Sequence, residues 1–254
     1  MIAALRCHID GRPFLVDNQL IAEVDKGLMT PGIELTTGQR VRLDRRPASE
    51  EVDPGCLIDF PCNLNQLAKG VRAIVATEDE CVPFVDAAYF AQTKSDPVEV
   101  RRLQREEPDL PPLSGDRRFI VFGVPGTSGF QFALSMSQIL EVSRAQHIAT
   151  LKGQGNHIIG VTVWRGRVIP VVDLAVAARL GPGTRTEWPR MMIVRNCKNG
   201  VFAIPANGQI WQPPASSHVY APDSGSVRPM PSIRGVFRFE GSPLLVPDLD
   251  ALWS

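Results

Sequence analysis

The sequence predicts an all-β fold built from small, stacked or paired β-barrels. Glycine and proline together account for 43 of the 254 residues, and such a composition favours many turns over long helices. Apolar runs rich in β-branched residues recur between Gly-containing turns, and one such pair of runs is repeated along the chain. The length of 254 residues suffices for two modest domains or one large one, and hydrophobic residues make up 44% of the chain, so a core can be buried.

The charge and cysteine content exclude several classes of protein. Acidic and basic residues cancel at 27 each, so the chain lacks the positive surface that binds nucleic acid. No basic leader precedes a long apolar stretch, and no window approaches the ~18 apolar residues of a membrane span. The five cysteines are an odd number, consistent with reduced, mostly buried thiols. We therefore expect a cytoplasmic protein without direct membrane insertion.

A charged, Pro-rich segment at 94–117 is the strongest candidate for a domain boundary. Asp96 is a good helix N-cap, Pro97 suits the first helical position, and Glu99 completes a capping box. Pro108 would end that helix. The sequence thus predicts a unit at 1–93, a linker with a short helix at 94–117, and a domain at 118–254.

Two hairpins are predicted in the C-terminal domain, at 119–134 and at 158–172. A Gly/Pro/Ser cluster separates the apolar runs of the first hairpin, and Arg165-Gly166 forms the turn of the second. Pro170 is interpreted as the proline of an edge strand.

A short helix is predicted directly after the second hairpin. Asp173 should cap a helix from Leu174 to Leu180, and Gly181 should end it as the C′ residue.

The second hairpin is repeated. Gly235 and Asp248 are separated by the same 13 residues as Gly160 and Asp173, with a Gly turn between two apolar strands in each copy. A weaker copy runs from Gly70 to Asp86 with a turn that is three residues longer.

The hairpins at 4–16 and 192–204, which would open two of the repeated units, also resemble each other, with turns at Gly11 and Gly200. Three related β-units can therefore be drawn at about 4–90, 118–182 and 190–252. Each is too small to be stable alone, so we expect them to stack or pair.

The stretch Gly160-Val-Thr-Val-Trp-Arg-Gly-Arg-Val-Ile-Pro-Val-Val-Asp-Leu174 resembles the signature of the CheW-like domain, and the resemblance extends over about 118–254. It implies two five-stranded β-barrels around a shared core. It also implies a scaffold that couples chemoreceptors to a CheA-type histidine kinase. In the family the Arg of the turn is important for coupling, and this position is Arg165. The family's Asn and Leu before it are replaced by Val163 and Trp164. The N-terminal unit resembles only a degenerate half-domain, with Thr77-Glu-Asp-Glu80 in place of the Arg-Gly turn.

The predicted protein-binding residues are Val163, Trp164, Arg165 and Gly166. Each of two residues also has a structural interpretation: Arg165 as a solvated charge at a turn, and Trp164 as a core residue. An aromatic residue beside an arginine is nevertheless typical of an interface hot spot. The residues expected to have structural roles are Gly160, Pro170, Asp173, Gly235 and Asp248.

The predicted partners are the regulatory domain of a CheA-type kinase, the cytoplasmic tip of a methyl-accepting chemoreceptor and other CheW-like domains. The first alternative is a scaffold of the same fold that recruits motility or polar-localisation proteins. The second is a cysteine-dependent enzyme, but Cys7 and His8 are neighbours in a predicted strand and should point to opposite faces. His147 and His157 lack a metal-site spacing. No cofactor, metal or catalytic residue is expected.

Overall fold

The computed structural model describes residues 1–25, 31–61, 64, 68–90, 118–127, 129–151, 157–181, 188–198, 200–214, 219–220, 232–240 and 242–253. In this part of the chain, strands predominate and the α-helical content is one turn. The all-β prediction is therefore confirmed. The predicted linker at 94–117, including its helix, lies outside the described residues, and the domain boundaries stay a prediction.

The N-terminal half contains nine of the described strands: β1 Ile2–Ile9, β2 Arg12–Asp17, β3 Ile21–Asp25, β4 Gly32–Leu35, β5 Arg40–Arg42, β6 Ala48–Val52, β7 Leu57–Asp59, β8 Val71–Ala76 and β9 Cys81–Val85. Six of them form a curled sheet in the order β6-β1-β2-β9-β8-β7, and β3-β4-β5 form a second sheet. We call residues 1–90 the half-barrel. One core cluster of the half-barrel comprises Ala4, Leu15, Val52, Ala73, Val75, Val82 and Phe84.

The C-terminal half contains the remaining described elements: β10 Phe119–Gly123, β11 Gln131–Ser135, β12 Ile139–Arg144, β13 Ile158–Trp164, β14 Arg167–Val172, α1 Leu174–Ala177, β15 Arg190–Arg195, β16 Val201–Trp211, β17 Val219–Tyr220, β18 Ile233–Phe239 and β19 Ser242–Pro247. The sheet order is β12-β15-β16-β10-β11-β19-β18-β17, and β14 pairs with both β13 and β16. One core cluster of this half includes Phe122, Phe132, Met192 and Phe202.

The three opening hairpins are β1–β2, β10–β11 and β15–β16, and the three closing hairpins are β8–β9, β13–β14 and β18–β19. Three parallel strand pairs each join an opening hairpin to a closing hairpin. In the half-barrel β2 pairs with β9, as the unit drawn at 4–90 requires. In the C-terminal half the partners are exchanged, because β11 pairs with β19 and β14 pairs with β16. The units drawn at 118–182 and 190–252 were therefore wrong, since each takes its closing hairpin from the other. Sequence order does not encode such long-range pairing.

The helix after Asp173 ends earlier than the sequence predicts. Helix α1 stops at Ala177, and Arg179 adopts a positive φ of 56°. The amides of Arg179 and Leu180 donate to the carbonyls of Val176 and Ala175 at 3.0 and 2.9 Å. This is the Schellman pattern with Arg179 at C′, so Gly181 is not the residue that ends the helix.

The chain divides into two compact units. One contains Met1–Arg105, His147–Gly155 and Gly160–Val168, and the other contains Glu106–Gln146, Asn156–Ile159 and Ile169–Ser254. The tip of the β13–β14 hairpin therefore belongs to the same unit as the half-barrel. Among the described residues, no helix has the length and hydropathy needed to cross a bilayer.

Candidate functional site

The predicted signature turn is a tight reversal between β13 and β14. Arg165 and Gly166 both have positive φ angles, 48° and 70°. Positive φ at both central residues defines a type I′ turn, whose twist matches that of the two strands. Gly166 has no heavy atom within 4 Å of an added Cβ, so its role is conformational.

The side chains of the turn divide into a buried aromatic ring and an exposed cation. Trp164 is only 7% exposed, whereas Arg165 lies on the surface. The guanidinium carbon of Arg165 lies 5.0 Å from the centroid of the Trp164 ring, within the range of a cation–π contact. Trp164 thus packs inside the protein and orients the arginine, while Arg165 presents its charge at the tip.

Val163 contributes its backbone to the outer edge of β13. Its amide hydrogen-bonds to the sulfur of Cys81, the first residue of β9. Burial raises the pKa of the Cys81 thiol, and this amide partly opposes the shift. Cys81 was not among the predicted site residues, because no sequence pattern relates it to a strand 82 positions away.

Gly160 allows a second segment to approach the same edge. A Cβ at this position would lie 2.4 Å from Ile148 Cγ2 and 2.5 Å from the Ala149 carbonyl oxygen. Ala149 and Val161 exchange two backbone hydrogen bonds of 2.8 and 2.9 Å. The absence of a side chain is therefore what permits this bridge.

Three aspartates end the three closing hairpins in the same way. The amides of Asp86, Asp173 and Asp248 each donate at 2.8 Å to a carbonyl sixteen residues earlier. Those carbonyls belong to Gly70, His157 and Ser232.

These hydrogen bonds correct the alignment of the weakest copy. Gly70 corresponds to His157 rather than to Gly160, so the β8–β9 turn is not three residues longer. Thr77 donates its amide to Glu80 at 2.9 Å, which leaves Glu78 and Asp79 as a two-residue turn. Gly70 itself is needed because a Cβ there would lie 2.1 Å from the Tyr89 amide nitrogen.

The aspartate side chains also cap the turns that follow. Asp173 Oδ1 accepts from the amides of Ala175 and Val176 at 2.9 and 3.1 Å. Asp248 Oδ1 accepts from Asp250 and Ala251 at 3.1 and 3.3 Å. Burial raises the pKa of Asp173 above its ordinary value, and the two donated hydrogen bonds partly oppose the shift.

Gly235 and Pro170 have less direct roles in their hairpins. Gly235 stands where the register of β18 against β19 shifts. Pro170 precedes Val171, the residue at which β14 pairs in parallel with β16. Because β14 has neighbours on both sides, the edge-strand interpretation of Pro170 was wrong. Pro170, which has no amide hydrogen to donate, lies just before the parallel pairing with β16 begins.

The N-terminal cysteine does not have the properties of a nucleophile. Cys7 is fully buried, and burial raises its pKa to about 12. His8 is directed elsewhere and contacts Arg45, and burial followed by the Arg45 charge lowers its pKa. Cys56, Cys81 and Cys197 are free thiols as well, and Cys62 lies outside the described residues.

A charged cluster that the sequence did not predict stabilises the β8–β9 turn. The guanidinium of Arg6 donates to Glu50 at 2.6 and 2.9 Å and to Glu80 at 3.0 Å. Both carboxylates raise the pKa of Arg6. The described residues contain no group of three or more His, Cys, Asp or Glu side chains that could hold a metal ion. His157 Nε2 instead lies 3.1 Å from the Leu252 carbonyl.

Comparison with known proteins places the signature hairpin in a family context. The model of the CheW-like domain matches residues 118–254. Among solved structures, the scaffolding protein TtCheW from Thermoanaerobacter tengcongensis is similar, with 18% identity and a TM-score of 0.45, over 54% of this chain and 92% of that one. No curated protein matches the sequence.

Proposed function

Because the chain belongs to the CheW-like domain family, a scaffold family of chemotaxis signalling, we propose that it is a non-catalytic adaptor that couples chemoreceptors to a CheA-type histidine kinase. The proposed partners are the regulatory domain of the kinase, the cytoplasmic tip of a methyl-accepting chemoreceptor and other CheW-like domains. The proposed location is the cytoplasm, at membrane-associated receptor arrays.

The single observation that carries this proposal is the geometry of Arg165. The left-handed turn directs the arginine to the surface, and the Trp164 ring beneath it limits its rotamers. A guanidinium held in this way loses less entropy when it binds a carboxylate or a carbonyl. The family's coupling arginine falls at this position of the signature.

The experiment titrates the full chain and its variants against the kinase regulatory domain and a receptor fragment. Arg165→Ala should weaken binding by about 1.5–3 kcal/mol, because a charge-assisted hydrogen bond is lost. Arg165→Lys should restore only part of this, since lysine lacks the planar fork. Stability should change by less than about 0.5 kcal/mol, as for most surface sites.

The equivalent turn of the β18–β19 hairpin provides a matched control. Glu240 has the same φ of 48° and is exposed, so Glu240→Ala makes a comparable change at another tip. We expect this variant to bind like the wild type. Arg165→Asn adds a second test, because asparagine is favoured in type I′ turns, and it should lose binding while the hairpin stays intact. Equal binding by all variants would show that Arg165 has no part in coupling.

One alternative function is supported by a specific observation. Val163 and Trp164 replace the family's Asn and Leu, and Trp164 is buried. A changed tip of this kind would suit a CheW-like scaffold that recruits motility or polar-localisation proteins without contacting receptors. Binding to the kinase domain without binding to any receptor fragment would favour this alternative. The cysteine-dependent enzyme gains no support from the buried thiol of Cys7.

A further inference from the structure

The outer edge of β13 is completed by two different parts of the chain. Val161 pairs with Ala149 on this side. Alternate amides of a strand point to the same side, so the next donor in the row is Val163. Its amide hydrogen-bonds to the sulfur of Cys81 in the half-barrel. The half-barrel therefore continues the row that the Ala149 segment begins.

A second hydrogen bond joins the half-barrel to the same segment. Arg12 Nη1 donates to the carbonyl oxygen of Leu151 at 3.3 Å, and Leu151 lies two residues beyond Ala149. Arg12 begins β2 and Cys81 begins β9, and these strands are parallel neighbours. One strand pair of the half-barrel thus supplies both contacts, in agreement with the compact unit that these segments share.

Opposite charges flank this contact in the sequence. Cys81 directly follows the turn that contains Glu78, Asp79 and Glu80, and Val163 precedes the tip that contains Arg165 and Arg167. Glu78 and Asp79 are exposed, whereas Glu80 is bound by Arg6. An acidic turn is therefore attached to the strand that contacts the basic hairpin.

We propose that the half-barrel is an internal ligand of the β13 edge, which a protein partner must displace in order to bind there. This proposal rests on the proposed function: the half-barrel regulates coupling by occupying the edge, and the partner resembles the half-barrel where it binds. The partner should present an acidic turn or strand edge, as the half-barrel does. Arg165 at the hairpin tip is exposed, whereas the half-barrel occupies the edge at Val163. Single hydrogen bonds between partly exposed groups contribute little each, so displacement is feasible for a protein partner.

The test measures amide hydrogen exchange in the full chain. Val163 reports on release of the half-barrel, and Val161, bound to Ala149, is the control on the same edge. Cys81→Ala removes the acceptor of the Val163 amide, and Glu78→Lys reverses a charge of the acidic turn. Both should accelerate exchange at Val163 by roughly tenfold, the effect of losing about one net hydrogen bond, and leave Val161 unchanged. Glu51→Lys, an exposed charge reversal on β6, should change neither rate.

The same proteins are then titrated with the kinase regulatory domain. Glu78→Lys should bind about three- to tenfold more tightly than wild type and Glu51→Lys, because the internal competitor is weakened. Unchanged exchange at Val163, or acceleration of Val161 together with Val163, would overturn the inference whatever the partner. Faster exchange at Val163 together with equal binding of the kinase domain by all variants would refute displacement of the half-barrel by a partner, but it would leave the coupling function standing. If no protein binds, the coupling function fails and the exchange rates alone decide whether the half-barrel is releasable.

Discussion

Replacing Gly160 with alanine should destabilise the edge of β13 by a predictable amount. The new Cβ would lie 2.5 Å from the Ala149 carbonyl oxygen and 2.4 Å from Ile148 Cγ2. The Ile148 methyl group can rotate away, but the carbonyl is backbone and accepts the Val161 amide at 2.9 Å. The segment that contains Ala149 must therefore move away from β13.

The cost follows from the hydrogen bonds that this movement breaks. Two are the backbone bonds between Ala149 and Val161, and the third joins Thr162 Oγ1 to the His147 carbonyl at 2.9 Å. At about 0.5–1.5 kcal/mol net for each bond, the loss is about 1.5–4.5 kcal/mol. Alanine returns about 0.5–1 kcal/mol because it restricts the unfolded chain. We expect a net destabilisation of about 0.5–4 kcal/mol.

Urea denaturation with hydrogen exchange at Val161 would measure this effect. Gly166→Ala is the control, because its added Cβ meets no atom within 4 Å and carries only the strain of a φ of 70°, about 1 kcal/mol. Adding Ile148→Ala to Gly160→Ala removes one of the two close contacts and should rescue little. A Gly160→Ala protein with wild-type stability and a protected Val161 amide would refute the argument that backbone approach requires this glycine.

The cap and the buried thiol lead to two further predictions. Asp173→Ala should cost about 0.5–2 kcal/mol in thermal or urea denaturation, whereas Asp173→Asn should retain the cap. Since burial raises the folded-state pKa of Asp173, its ionised form opposes folding above that pKa, and this cost disappears on acidification towards the unfolded value of 3.8. Wild type should therefore gain stability relative to Asp173→Asn as the pH falls through this window, and a constant difference would contradict the assignment. Cys7, with a pKa of about 12, should be alkylated far more slowly than exposed Cys197 in the native protein, and equal rates by mass spectrometry would restore the enzyme alternative.

Features that depend on neighbouring residues could be predicted from the sequence. The Arg165-Gly166 turn, the Asp173 cap and the hairpin at 158–172 all follow from contacts within a few positions. The end of the helix could not be predicted from glycine alone. Arg179 adopts the left-handed conformation because the Schellman hydrogen bonds compensate for its cost. The prediction that Gly181 is the C′ residue was therefore wrong.

Features that depend on distant pairing could not be predicted. The exchange of closing hairpins between β11, which pairs with β19, and β16, which pairs with β14, requires partners many residues apart. Every closing hairpin offers the same apolar pattern to either strand. The contact of Cys81 with Val163 gives no sequence signal, since any small acceptor could fill that place. Family resemblance identified the tip at Arg165, but it did not indicate that the half-barrel would occupy the adjacent edge.

The three closing hairpins show why function can vary at their tips while the fold persists. In each, the residue eight positions before the capping aspartate begins the turn, and these residues are Glu78, Arg165 and Glu240. Arg165 and Glu240 share a φ of 48°, so the backbone requirement is the same for a cation and an anion. The shared hairpin geometry thus depends on the capping aspartate and on the carbonyl oxygen that accepts its amide. The backbone of the tip accepts either charge. The proposed competition between the acidic turn and a protein partner therefore concerns tip residues whose charge can change while the hairpin keeps its backbone.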